Sequence, residues 1–184
     1  MRPLILTQNI TLDGSVEMLD DWFDPMAADD EMGEVTARDS ADCDTILLGR
    51  RTFEDFRGFW PEQDDDTTGI SAELDALRKV VVSRTLGDPG WVNSTVISTD
   101  PVAAVRELKA ADGGEISLTG SIELSHLLLG VGLVDEIRLW TFPVTQGRGR
   151  RLVPEGHRQR FTLREHLAFP SSVTYTRWTL GGTP

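Results

Sequence analysis

The chain of 184 residues has a single cysteine, Cys43, so an intramolecular disulfide and a cysteine-rich metal cluster are both excluded, and no oxidising compartment is implied. No apolar segment approaches the roughly 18 residues of a membrane span, and the N-terminus lacks a basic start followed by an apolar signal core, which leads to the expectation of a cytoplasmic protein. Cations are scarce: 18 Lys and Arg face 30 Asp and Glu, for a formal net charge of -12. Such a surface repels polyanions, so neither nucleic acid nor an anionic membrane is expected as a partner. The three histidines, His126, His157 and His166, show no metal-ligand spacing, and no metal is expected. The His/Cys/Cys signature of zinc deaminases, the Gly-x-Ser-x-Gly nucleophile elbow and the three-glycine Rossmann fingerprint are all missing.

What is present is a 39% hydrophobic composition, enough for one domain over residues 1–184 with a sizeable core. Residues 4–12 read as a first strand ending at the turn Asp13-Gly14. A long acidic loop follows over 20–30, in which Trp22, Phe23, Pro25 and Met26 are placed to cap something apolar, and then a helix near 31–39. The run Thr45-Ile46-Leu47-Leu48 reads as a buried strand that stops at Gly49, turns through Arg50 and Arg51, and enters a short helix at 52–57. The polar break 64–69 reads as a solvated loop with no chemistry. Strands at 79–83, 94–98 and 115–119, and helices at 101–111 and after Gly120-Ser121, continue the alternation. In the last helix Ile122, Leu124, Leu127, Leu128 and Val131 would form the buried stripe. After a strand at 135–144 and the glycine-rich segment 146–149, residues 161–169 and 173–180 have no helical period and read as antiparallel strands. The expected fold class is therefore α/β: a mixed sheet with a parallel centre, antiparallel C-terminal edge strands and flanking helices.

Three strand ends carry phosphate-suited chemistry. Gly49, Arg50, Arg51 and Thr52 deliver guanidinium groups to a helix N-terminus, whose free N–H groups and dipole favour an anion. Ser83 and Arg84 follow another strand. Gly120, Ser121 and Ile122 open the helix after a third, with a glycine that lets a pyrophosphate approach the backbone. Alone, the first reads equally as solvated charges, while the second reads better as an ordinary polar turn and the third as a capped helix. In an open α/β sheet, however, ligands gather at the carboxyl ends of strands, and three such turns together are more specific than one.

Read together, Ile10-Thr11-Leu12-Asp13-Gly14, the block 47–54, Val81-Val82-Ser83-Arg84, Gly120-Ser121 leading to 132–137, and Pro143-Val144 with 147–152 resemble the dihydrofolate reductase-like superfamily. The nearest branch is that of the C-terminal reductase domain of the bifunctional riboflavin biosynthesis protein. The resemblance implies a dihydrofolate reductase-like sheet, NADPH as hydride donor and a homodimer. It places Gly49, Arg50, Arg51 and Thr52 on the adenosine phosphates, Ser83 and Arg84 beside the adenine and its 2′-phosphate, and Gly120, Ser121 and Ile122 on the pyrophosphate and nicotinamide side. Asp13 and Gly14 would border the nicotinamide and the substrate. The activity implied is reduction of a C=N or C=O of a small heterocycle, as in the reductase that acts on 5-amino-6-(5-phosphoribosylamino)uracil. The alternatives are a pterin reductase of the folate type or a non-catalytic nucleotide-binding protein of this fold. The proton would come from water or from Asp13, although an Asp before Gly is equally what a tight turn demands. Trp22-Phe23-Asp24-Pro25 is followed by Asp29 and Asp30, neither of them clearly placed by a helix as the pterin-binding carboxylate, and the early loop lacks a basic cluster for a ribose phosphate.

Overall fold

The computed structural model describes residues 1–27, 29–63 and 65–181, so Asp64 of the polar break, Ala28 of the acidic loop and the last three residues of the expected domain lie outside the described residues. Along the chain run β1 (Leu4–Thr11), α1 (Asp30–Ser40), β2 (Cys43–Gly49), α2 (Arg50–Phe59) with a 3-10 turn (Trp60–Glu62), α3 (Ile70–Ala76), β3 (Arg78–Val82) and β4 (Ser94–Ile97). There follow α4 (Pro101–Ala110), β5 (Glu115–Thr119), α5 (Ile122–Gly130), β6 (Glu136–Phe142), β7 (Phe161–Ala168) and β8 (Thr174–Leu180). All eight strands share one sheet in the order β4-β3-β2-β5-β1-β6-β8-β7. The six strands from β4 to β6 are mutually parallel, and β8 runs antiparallel to both β6 and β7. The expected mixed sheet with a parallel centre and antiparallel C-terminal strands is what the chain forms.

Alternation along the strands decides the layers. Leu4 and Leu6 of β1, Leu47, Val80, Ile116, Leu118 and Ile137 point to one face, where α4 lays Val105 and Leu108 and α5 lays Leu124, Leu128 and Leu129 over them. On the other face Ile46, Leu48 and Val81 meet Phe53, Trp60, Leu74 and Leu77 from α2, its 3-10 turn and α3. Further along that same face Trp140 and Tyr175 pack with Phe169 and Val173, and α1 rests on them through Met32 and Val35. Each fully buried aliphatic side chain contributes about 1.5–3 kcal/mol, which is why covered strands read as continuous apolar runs.

Two helices depart from the sequence reading. Helix α3 falls where no helix is expected: Asp66 bonds the N–H groups of Thr68 and Ser71 at 2.8 Å to start it, and buried Lys79 donates its ammonium to the carbonyls of Leu74 and Leu77 to end it. In α5, Leu127 and Val131 are 38% and 40% exposed, while Leu129 and Ser125 are buried instead. At 3.6 residues per turn, positions 122, 125 and 129 share the inward flank with 124 and 128, and 127 and 131 fall outside it.

Candidate active site

Strands β2 and β5 are parallel neighbours, yet α2 leaves β2 toward one face and α5 leaves β5 toward the other. A crevice opens at their carboxyl ends, the position where open α/β sheets bind ligands. Two turns meet there. The Gly49 N–H donates to Ser121 Oγ at 2.9 Å, and the Ser121 N–H donates to Thr52 Oγ1 at 2.8 Å. From β1, the buried Gln8 side chain donates to the Gly120 carbonyl at 2.6 Å. Gly120 and Ser121 are both left-handed, at φ 52° and 46°. A Cβ on Gly120 would lie 2.8 Å from Thr52 Cγ2, so only glycine lets the two turns touch.

Knitting the turns together leaves both helices uncapped. Ser121 occupies the N-cap position of α5 but commits its hydroxyl to Gly49, and Gly49 at the N-cap of α2 has no side chain to offer. Two sets of first-turn N–H groups, each the positive end of a helix dipole, therefore adjoin one crevice without a side-chain acceptor of their own. The cations near them differ. Arg50 donates to Glu54 on its own helix at 2.8 Å, so its charge is partly neutralised there. Arg51 and Arg84 are exposed and form no ion pair among the described residues. Ser83 Oγ accepts from the N–H groups of Thr85 and Leu86, shaping the turn that presents Arg84. Ile122 is buried against Ile10 and Val16, so its side chain packs under the crevice and only its backbone belongs to it.

Asp13 sits in a hydrogen-bonded turn. Its carboxylate accepts from Thr11 Oγ1 at 2.5 Å, the Gln146 N–H at 3.2 Å and the Gly147 N–H at 2.7 Å. These bonds favour the ionised form and hold the group down at about 2, so it carries no proton at neutral pH. It anchors a turn. Gly14 beside it has φ 83° and faces Arg151 Nη1, 3.1 Å from the position a Cβ would take.

The loop that Asp13 anchors is a second feature, one the sequence reading does not contain. Gln146 accepts from Trp22 Nε1 at 2.9 Å and donates to Ser15 Oγ and the Glu17 carbonyl at 3.0 Å. Glu17 pairs with Arg150, whose hydrogen bond holds the carboxyl below its usual range, and Asp20 pairs with Arg148 at 2.6 Å. The indole of Trp22 packs against Phe142 at 5.2 Å between centroids, with Phe23 at 5.6 Å from the same ring. The early aromatics do cap an apolar residue, the last one of β6. Asp29 is the N-cap of α1, accepting from the Met32 N–H, and Asp30 is exposed, so neither stands as a pterin-binding carboxylate. His126 bonds the Arg151 carbonyl at 2.8 Å, a tether between α5 and the late loop. Among the described residues no helix is long and apolar enough to cross a membrane, and no three His, Cys, Asp or Glu side chains group as for a metal ion.

Comparison with known proteins bears on the fold and the family. A family model described as RibD C-terminal domain matches residues 2–175. The uncharacterized protein YyaP of Bacillus subtilis (strain 168) is 33% identical over 154 residues, spanning 82% of this chain and 80% of YyaP. Among solved structures, a Shewanella sp. PV-4 protein with a provisional riboflavin biosynthesis name superposes with a TM-score of 0.74 at 20% identity, covering 98% of this chain and 99% of that one. A pyrimidine reductase-like protein of Corynebacterium diphtheriae gives 0.71 at 15% identity, over 99% and 93% of the two chains. Acinetobacter baumannii RibD gives 0.68 at 14% identity, with 98% of this chain covering 58% of that longer one. The sheet order, the crevice and the match over nearly the whole length agree that this chain belongs to the RibD C-terminal domain family, a reductase-type family with a dihydrofolate reductase-like fold.

Proposed function

We propose that this chain is an NADPH-dependent reductase that reduces a C=N or C=O bond of a small heterocyclic substrate. The observation that carries the reading is the pair of uncapped helix N-termini, α2 and α5, drawn together by the Gly49–Ser121 and Ser121–Thr52 hydrogen bonds at the β2/β5 crevice. Such a donor set suits a pyrophosphate, and the exposed Arg51 and Arg84 are the groups suited to further phosphates, Arg84 with Ser83 to the 2′-phosphate. NADPH supplies the hydride when bound; the protein binds, orients and excludes water. The Asp13–Gly14 turn would border the reacting ring and hold the 146–147 backbone against it, with the proton coming from water or by way of Asp13. Family membership supports a reductase, and a homodimer as the working unit is part of the same proposal, checked by analytical ultracentrifugation.

The test is a parallel titration with NADPH and NADH, followed by tryptophan fluorescence and nicotinamide emission. Tighter binding of NADPH is expected, because NADH lacks the phosphate that Arg84 would meet. Failure of both cofactors to bind at millimolar concentration overturns the reading.

A further inference from the structure

The segment that follows the Asp13–Gly14 turn, residues 15–22, is tied to the loop 146–150 through the side chain of Gln146. Its carbonyl oxygen accepts from the Leu19 N–H at 3.3 Å and from Trp22 Nε1 at 2.9 Å, and its amide nitrogen donates to Ser15 Oγ and to the Glu17 carbonyl, both at 3.0 Å. A primary amide offers two lone pairs and two N–H groups, and here one residue engages both ends. The close approach depends on Gly149, at φ 96°: a Cβ there would collide with Ser15 Oγ and lie 2.9 Å from Gln146 Nε2. The ion pairs along the same seam, Asp20 with Arg148 and Glu17 with Arg150, involve partly exposed side chains, and such pairs are weak and screened by salt. The neutral bonds of Gln146 are not screened.

This seam borders the β2/β5 crevice. Val16 is buried against Ile10 of β1 and against Ile122, the first residue of α5. Glu17 comes next, and its carboxylate accepts from the Arg150 N–H at 3.1 Å and from Arg150 Nε at 3.0 Å. Hydrogen bonding from Arg150 holds the Glu17 carboxyl below its usual range, and the charge of Arg51, on the first turn of α2, adds to the effect. A carboxylate therefore stands within electrostatic reach of the exposed Arg51, which has no ion pair among the described residues, at a crevice whose two helix N-termini favour an anion. Arg150 fixes Glu17 by its side chain and Gln146 fixes it by its backbone. Together they keep it off Arg51.

We propose that Gln146 is a positioning residue: its amide pins residues 15–22 so that Glu17 stays on Arg150 and Arg51 remains open to a ligand's phosphate. The statement rests on the reductase reading above only in naming that ligand NADPH. Gln146→Leu removes the bonds with little change in size. In the 15N-labelled protein without cofactor it should shift the Trp22 indole signal, assigned through Trp22→Phe, and trypsin should cut after Arg148 roughly tenfold faster, because losing two or three neutral hydrogen bonds promotes local opening. Fluorescence titration should then show NADPH bound roughly three- to fivefold more weakly, the scale of one partly exposed ion pair competing with the phosphate, and the double variant Gln146→Leu/Glu17→Gln should return to within about twofold of Glu17→Gln alone. A merely structural loss would not be rescued by removing a carboxylate. An unmoved indole signal with parental proteolysis, parental NADPH affinity in Gln146→Leu, or a weakening that persists in the double variant would each overturn the inference. Should the parent bind no NADPH, the reductase reading fails and the same cycle is read with inorganic pyrophosphate, whose failure to bind the parent would overturn the inference as well.

Discussion

Replacing Gly120 with alanine should damage this protein twice, and the two losses can be separated. The residue sits at φ 52°, where a Cβ costs about 1–2 kcal/mol. The new Cβ would also stand 2.8 Å from Thr52 Cγ2 and 3.0 Å from Thr52 Oγ1. Thr52 cannot turn aside freely, because its hydroxyl accepts the Ser121 N–H, so overpacking adds about 1–3 kcal/mol. Gly120→Ala should therefore destabilise by about 2–5 kcal/mol, near 2–4 °C of Tm for each kcal/mol in a chain of this size. Thr52→Ser removes Cγ2 while keeping the acceptor, so in the double variant the closer contact is relieved, while the 3.0 Å approach to Oγ and the backbone cost remain. Urea denaturation of the four members of the cycle should give a coupling energy of about 1 kcal/mol or more in favour of the pair. NADPH affinity should follow the same cycle if the two turns form one site. Additive losses, or a Gly120→Ala variant within about 0.5 kcal/mol of the parent, would refute the claim that contact between the turns demands glycine.

Arg84→Ala should weaken NADPH by roughly ten- to a hundredfold and NADH far less, the signature of one charge-assisted bond to a phosphate that NADH lacks; fluorescence titration with both cofactors checks it. Asp13→Asn should leave the pH profile of turnover unchanged while speeding hydrogen exchange at the 146–147 amides, since Asp13 holds that backbone and carries no proton at neutral pH. Arg138→Met should cost about 1–3 kcal/mol in chemical denaturation, because buried Glu136 keeps Arg177 but loses one of its two guanidinium partners, and the partly exposed Glu115 loses its own. Stability should fall on acidification: Asp13, Glu17, Asp44 and Glu136 all have folded carboxyls below their ordinary values. The unfolded chain then binds more protons through the acid range, so the melting temperature should drop from about pH 5 toward pH 2 and hold steady above that window.

Much of the fold is written in local pattern. Runs such as Thr45–Leu48 and Val80–Val82 announce buried strands, and the glycines that end β2 and follow β5 announce the turns at Gly49 and Gly120. Helix α3 escapes because its seven residues are too few for a period to stand out, and its start depends on Asp66 reaching forward to Ser71. The role of Asp13 is only half visible: Thr11 lies two positions away, but Gln146 and Gly147 are brought to it by the sheet. The meeting of the two turns at the β2/β5 crevice is legible because glycine and a helix start are adjacent in sequence at each. The setting of β1 is not, since Thr7 and Asn9 alternate with Gln8, and nothing local says that Gln8 is the buried one.

The position of β1 has a consequence for how the molecule comes to exist. The earliest of the eight strands is a central one, yet both its neighbours, β5 and β6, come from the second half of the sequence; Gln8 meets Gly120 across 112 positions, and the Leu4 amide meets Asp135 across 131. During synthesis β1 must wait as an unpaired apolar segment until the ribosome has released most of the protein, and loop closure over that distance makes its docking a slow step. The crevice between β2 and β5 is complete only after that wait. A chain interrupted before residue 119 can hold neither turn against the other, so contact between them reports docking of β5 in the sheet.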